Sequence, residues 1–147
     1  MSKLLVLFLL VAISGKAAMA ESHTIKTLGL TIEVPFAVQE EPYKTNKSKV
    51  KLVQANKTAG DSFIIEVVKK PATTTAFLKG EALLDTPTDV KEELLENKAW
   101  RLTYTKGSGI YWFAEQRKVG KKWVHCYGYR FTTKELDGLR AACASLK

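Results

Sequence analysis

The sequence predicts an α+β domain: an antiparallel sheet flanked by helices and tied by one disulfide. Three observations predict it. Short runs of β-branched and aromatic residues are punctuated by Gly and Pro turns, as strands joined by hairpins are. Residues 132–147 read as a capped helix with one apolar stripe. The chain has two cysteines, Cys126 and Cys143, one in the last strand and one in that helix.

Residues 1–20 read as a segment removed before folding. Lys3 supplies a positive start, Leu4–Ile13 is an unbroken apolar run, and Ala18-Met19-Ala20 is a small-x-small cleavage signal. Together these predict a secretory signal peptide cut before Glu21, with an uncleaved anchor as the alternative. The run falls short of the ~20 residues that a membrane-spanning helix needs. Residues 21–147 then form one domain. Without Lys3 and Lys16 this domain has 21 basic and 15 acidic residues, a charge of +6. The lysines are spread along the chain and no block of five like charges occurs, so each reads locally as solvated surface. A basic surface favours an acidic partner: a protein, an anionic glycan or a lipid headgroup. Nucleic acid is not expected of an exported chain without a basic cluster.

The strands follow in order. His23–Leu28 is a lead-in broken by Gly29, and His23 lies where chains commonly fray. In Leu30-Thr31-Ile32-Glu33-Val34 the apolar residues fall on one face, and Pro35 ends the strand. Residues 39–49 are polar and read as an exposed loop. Val50–Ala55 and Phe63–Val68 read as an antiparallel hairpin. The neighbouring apolar pairs Ile64-Ile65 and Val67-Val68 predict an interior strand with helices on both sides.

Thr73-Thr74-Thr75 can cap a helix from Ala76 to about Leu84, weakened at Gly80. Thr86-Pro87 reads as an N-cap followed by proline at the first helical position. The alternative for Val90–Tyr104 is a strand region with a turn at Glu96-Asn97-Lys98, with strand from Trp100 onward. Lys106-Gly107-Ser108-Gly109 is then a turn. It leads to the stretch Ile110–Phe131, which holds half of the aromatic residues around the turn Val119-Gly120-Lys121-Lys122.

In the last helix Thr132 and Glu135 have capping-box spacing. Leu136, Leu139, Cys143 and Leu146 share one face, so Cys143 points at the sheet. Cys126 shares its strand face with Val124 and Gly128, and Gly128 would let the helix approach. Export favours the bridge Cys126–Cys143 over two free thiols. It would close about 18 residues, worth roughly 3 kcal/mol.

No catalytic constellation emerges. His125 shares a strand face with Trp123 and Tyr127 and reads as packed or surface-exposed. Gly107-Ser108-Gly109 lacks the spacing of a nucleophile elbow. Glu92, Glu93 and Glu96 sit beside lysines and read as solvated surface rather than as an acid/base pair. No metal-ligand cluster or phosphate loop occurs, so neither metal nor cofactor is expected. Asn46-Lys47-Ser48 and Asn56-Lys57-Thr58 match the N-glycosylation pattern in predicted loops. The hairpin aromatics are either sheet core or a binding surface, with Tyr111, Trp123 and Tyr127 the candidates for the surface.

The element order resembles the Mog1/PsbP-like fold, an antiparallel sheet between helices. The residues that carry this are Leu28-Gly29-Leu30-Thr31-Ile32-Glu33-Val34-Pro35, Cys126-x-Gly128 and Ala141-Ala142-Cys143-Ala144-Ser145-Leu146. The ending is similar to small exported proteins of Gram-negative bacteria. Some of these are periplasmic immunity proteins against type VI secretion toxins, so the resemblance implies binding without catalysis. The expectation is an exported, periplasmic or secreted, non-catalytic domain that binds an acidic protein as an inhibitor or immunity factor. The rival is a cell-envelope accessory or ligand-binding module.

Overall fold

A computed structural model describes residues 20–147 apart from 56–61, 84 and 108. Of the predicted signal segment, residues 1–20, all but Ala20 lie outside the described residues. Seven strands form one antiparallel sheet in the order β3-β4-β5-β9-β8-β7-β6. They are β3 (Val38–Pro42), β4 (Lys49–Gln54), β5 (Ser62–Val68), β6 (Thr88–Leu94), β7 (Trp100–Thr105), β8 (Tyr111–Val119) and β9 (Lys122–Arg130). Strands β1 (Glu21–Ile25) and β2 (Leu30–Val34) pair only with each other. Helix α1 is Thr74–Glu81 and α2 is Thr133–Ala144.

Strand alternation assigns the two faces of the sheet. On one face Val50, Leu52, Phe63, Ile65, Phe113, Val124 and Cys126 pack under α2 and the β1–β2 hairpin, and this is the larger core. The Cys126–Cys143 disulfide, with Cα atoms 5.7 Å apart, joins α2 to β9 here. The predicted stripe is buried at all four positions, Leu136, Leu139, Cys143 and Leu146. The capping box is present: Glu135 N–H donates to Thr132 Oγ1 (3.2 Å) and Thr132 N–H to Glu135 Oε2 (3.0 Å). Thr31 and Lys147 exchange two backbone hydrogen bonds of 2.9 Å, which ties the chain end to β2. Glu115 is buried on this face between Arg101 (2.7 Å) and Arg117 (3.5 Å). Its hydrogen bond raises the Arg101 guanidinium pKa, against some burial.

On the opposite face Trp100, Leu102, Tyr104, Ala114 and Tyr127 form a second core against Phe77 and Leu78 of α1. Thr73 caps α1, its hydroxyl accepting from Ala76 N–H at 3.1 Å. The helix has only eight residues, so it covers the β9-β8-β7 part of this face and leaves the rest open.

Four expectations need correction. Residues 39–49 are not all loop, because 39–42 belong to edge strand β3. Pro42 closes that strand, where a missing N–H matters least. Thr86-Pro87 opens no helix: β6 follows and pairs with β7 around a bulge at Asp89, whose φ is +50°. His23 is not frayed; it pairs with Ile32 and lies 3.3 Å from Glu40. Gly128 serves a strand rather than a helix, since a Cβ there would sit 2.9 Å from Phe63 Cβ. The strand from Trp100 and the turn at Asn97-Lys98, both with positive φ, stand as expected. Strand β5 is interior, and on its second face Ile64, Glu66 and Val68 are half-buried, with Ile64 packed against the core under α1.

Candidate functional site

The α1 face divides into a buried polar node, an open aromatic groove and a basic end. The node lies under α1. Cross-strand register sets Gln116 of β8 beside His125 of β9 and Trp100 of β7. Gln116 Oε1 accepts from Ala72 N–H at 2.7 Å, and its Nε2 donates to Ala72 O (3.0 Å) and Lys98 O (2.8 Å). Trp100 Nε1 also donates to Ala72 O, at 2.9 Å. His125 Nε2 stands 2.7 Å from Gln116 Oε1, an acceptor, so this nitrogen carries the hydrogen.

Phe77 lies edge-on to His125 and Tyr127, with ring centroids 5.5 Å apart in each pair. Burial lowers the His125 pKa to about 4, so the ring is neutral at pH 7. Neighbouring Cys126 faces the other side of the sheet and is oxidised. This geometry holds the 69–73 segment and α1 on the sheet, a packing role. Burial also pushes the Tyr104 and Tyr127 hydroxyls well above the usual phenol range, and Tyr104 donates to Glu81 Oε2 at 3.1 Å.

The other sequence candidates fall as follows. Glu92 accepts from Thr74 Oγ1, whereas Glu93 pairs with Arg101 at 3.8 Å. Being neighbours on β6, they point to opposite faces. Gly107 and Gly109 have positive φ, as a turn requires, while Ser108 lies outside the described residues. Asn46 Nδ2 donates to Glu66 Oε1 at 3.2 Å, and Asn56-Lys57-Thr58 lies outside the described residues. Among the described residues no group of three or more His, Cys, Asp and Glu is placed to hold a metal ion.

The three aromatic residues proposed for binding do not share a surface. Tyr127 is 6% exposed beneath Phe77. Tyr111 is half-buried on the disulfide face, packed against that core. Trp123 is half-buried on the α1 face, at the end of the sheet where it pairs with Val68 and Lys118.

The groove lies at the other end of this face. Tyr43, Lys51, Ile64, Trp112 and Tyr129 line it, with Gly128 in its floor, around about 230 Å³. Trp112 stacks on Tyr104 at 6.0 Å and leans on Tyr129 at 5.2 Å. Lys106 Nζ stands 4.8 Å above the Trp112 ring, and Lys49 Nζ 5.0 Å above that of Tyr43, both within cation–π range. Among the described residues the buried Trp112 Nε1 has no hydrogen-bond partner. Tyr129 meets Phe131 edge-on, and Phe131 is 59% exposed. Sequence reasoning placed Trp112 and Tyr129 among the hairpin aromatics but did not foresee that Tyr43, Lys51 and Ile64 complete the groove. The Ile64-Ile65 and Val67-Val68 doublets signal a second apolar face on β5.

A larger cavity of about 570 Å³ opens beside the start of α1, lined mainly by Pro71, Ala72, Leu94, Leu95, Ala99 and Trp100. Compared with known proteins, the chain matches no family model and no curated protein sequence.

Proposed function

We propose that this is an exported, periplasmic or secreted domain that binds another protein without catalysis, as an inhibitor or immunity factor. On this reading the fold is of the Mog1/PsbP-like kind, with helices on both faces of one antiparallel sheet. The observation that carries the proposal is the open aromatic groove. Tyrosine and tryptophan are enriched at interfaces because one side chain combines large apolar area with a polar tip. Tyr43, Trp112, Tyr129 and Phe131 provide four rings where α1 leaves the sheet bare. The charge of +8, or +6 without residues 1–20, supports an acidic partner. The bridge Cys126–Cys143 supports an oxidising compartment. Among the described residues no helix is long and apolar enough to cross a membrane.

The test is affinity capture from the envelope and secreted fractions with tagged wild-type protein and Tyr129→Ala. A partner retained by the wild type and lost by a variant of unchanged melting temperature supports the reading. Retention by both, or no specific partner, contradicts it. The 570 Å³ cavity favours a second reading, an envelope accessory or ligand-binding module, because it falls in the ~300–1,000 Å³ range of ligand pockets. A toxin gene beside this one would favour the first reading, and an envelope operon the second.

A further inference from the structure

Five lysines scattered in sequence meet at one end of the sheet. Val68, the last residue of β5, pairs with Trp123 of β9, and Trp123 pairs with Lys118 of β8. Lys69 and Lys70 therefore leave β5 where Lys121 and Lys122 enter β9. All five lysines are exposed. Lys122 Nζ donates to Leu28 O, which satisfies a proton but not the charge. No carboxylate among the described residues pairs with Lys69, Lys70, Lys118 or Lys121, whereas Lys51, Lys106 and Lys147 each have one. Like charges on adjoining strands repel. Half-buried Trp123 stands on the α1 face beside its cross-strand partner Lys118, whereas Lys122 at the same end points to the disulfide face.

The geometry points to this end as the docking surface for an acidic patch of the partner protein, with Trp123 as the apolar anchor. The inference rests on the protein-binding reading above and names where the partner's charge falls. Charge complementarity selects an acidic occupant and speeds encounter. A buried tryptophan ringed by polar contacts is the usual anchor of such an interface. A bilayer is the poorer fit. Insertion needs apolar side chains beyond the lysines, yet the hairpin tip is Gly120-Lys121 and Val119 packs against the core. Trp123 and Tyr129 lie six residues apart on β9, about 20 Å. One interface of ordinary size, about 800 Å² per partner, can cover both this end and the groove.

The test uses the full exported protein and a short fluorescein-labelled poly-L-glutamate peptide as probe, read by anisotropy over a salt series. Lys118→Glu/Lys121→Glu should weaken binding at least about tenfold and flatten the salt dependence. Lys91→Glu/Lys134→Glu makes the same change in net charge elsewhere and should weaken it less than about threefold. Trp123→Ala should weaken binding while leaving the salt dependence intact. Equal loss in both charge variants, no binding by the wild type, or tighter binding to phosphatidylglycerol vesicles than to the peptide would overturn the proposal. A protein partner captured equally by wild type and Lys118→Glu/Lys121→Glu would overturn this surface and leave the binding function standing. Peptide binding with no capturable partner would do the reverse.

Discussion

His125 is 7% exposed, and burial holds its pKa near 4 against 6.5 for a free ring. The unfolded chain therefore takes up this proton first as the pH falls. Stability from the neutral ring is complete above pH 6.5 and is lost between 6.5 and 4. The loss reaches about 3 kcal/mol at the lower limit. His125→Gln keeps a donor toward Gln116 and does not titrate. Its stability should fall less steeply than that of the wild type across this window in urea melts at stepped pH. Partner binding at pH 7 should be unchanged; loss of function at unchanged stability would mean that the ring does chemistry. Gly128 gives the second prediction at this scale. A methyl group there meets Phe63 Cβ at 2.9 Å in a strand pair that cannot separate without breaking its ladder. Gly128→Ala should cost about 1–3 kcal/mol by overpacking, measured by chemical denaturation. The sequence marks Gly128 as a close approach, but it does not say to what. Parity alone places Val124, Cys126 and Gly128 together, whereas strand order decides which neighbour fills the space.

Helix α2 is legible because its signals agree. Thr132 and Glu135 mark the start, the Leu136–Leu139–Cys143–Leu146 stripe sets the face, and a cysteine on each partner fixes what it faces. Cys143→Ser should remove about 2–5 kcal/mol from a domain that has only ~5–15 kcal/mol in total. The protein as isolated should show no titratable thiol when denatured, and reductant should lower its melting temperature. An unchanged melting temperature on reduction would mean that packing alone holds α2. Helix α1 was legible through its Thr73 cap, although it ends at Glu81 rather than near Leu84. Strand β3 was not legible, and β6 only as the strand alternative for Val90–Tyr104, for a physical reason. They are the two edges of the sheet, all of β6 is exposed, and neither needs the apolar alternation that betrays a half-buried strand. Charged residues and a bulge suit an edge that must not recruit another strand. The same features make β6 look like a loop or a helix start.

For the whole molecule, the division of labour follows from how unequally the two faces are covered. Helix α2 and the β1–β2 hairpin close one face, while an eight-residue helix closes part of the other. Composition reported the basic excess but could not locate it. Lys69 and Lys70 stand some fifty residues from Lys118, Lys121 and Lys122, and only the β5–β9 pairing unites them. The groove was hidden in the same way, since Tyr43 and Lys51 are unremarkable until β4 and β5 are set beside β9. Of the three aromatic residues singled out from the sequence, Trp123 stands at the lysine-rich end, Tyr111 lines a cavity beside α2, and Tyr127 is buried. The three tryptophans sample the α1 face: Trp100 is buried under α1, Trp112 lines the groove, and Trp123 stands at the lysine-rich end beside Lys118. Fluorine NMR of protein labelled with 5-fluorotryptophan, titrated with the captured partner, therefore tests the account most directly. The Trp112 and Trp123 resonances should shift or broaden while that of Trp100 holds its position. Saturated binding that leaves Trp112 and Trp123 unmoved would place the interface elsewhere and contradict it.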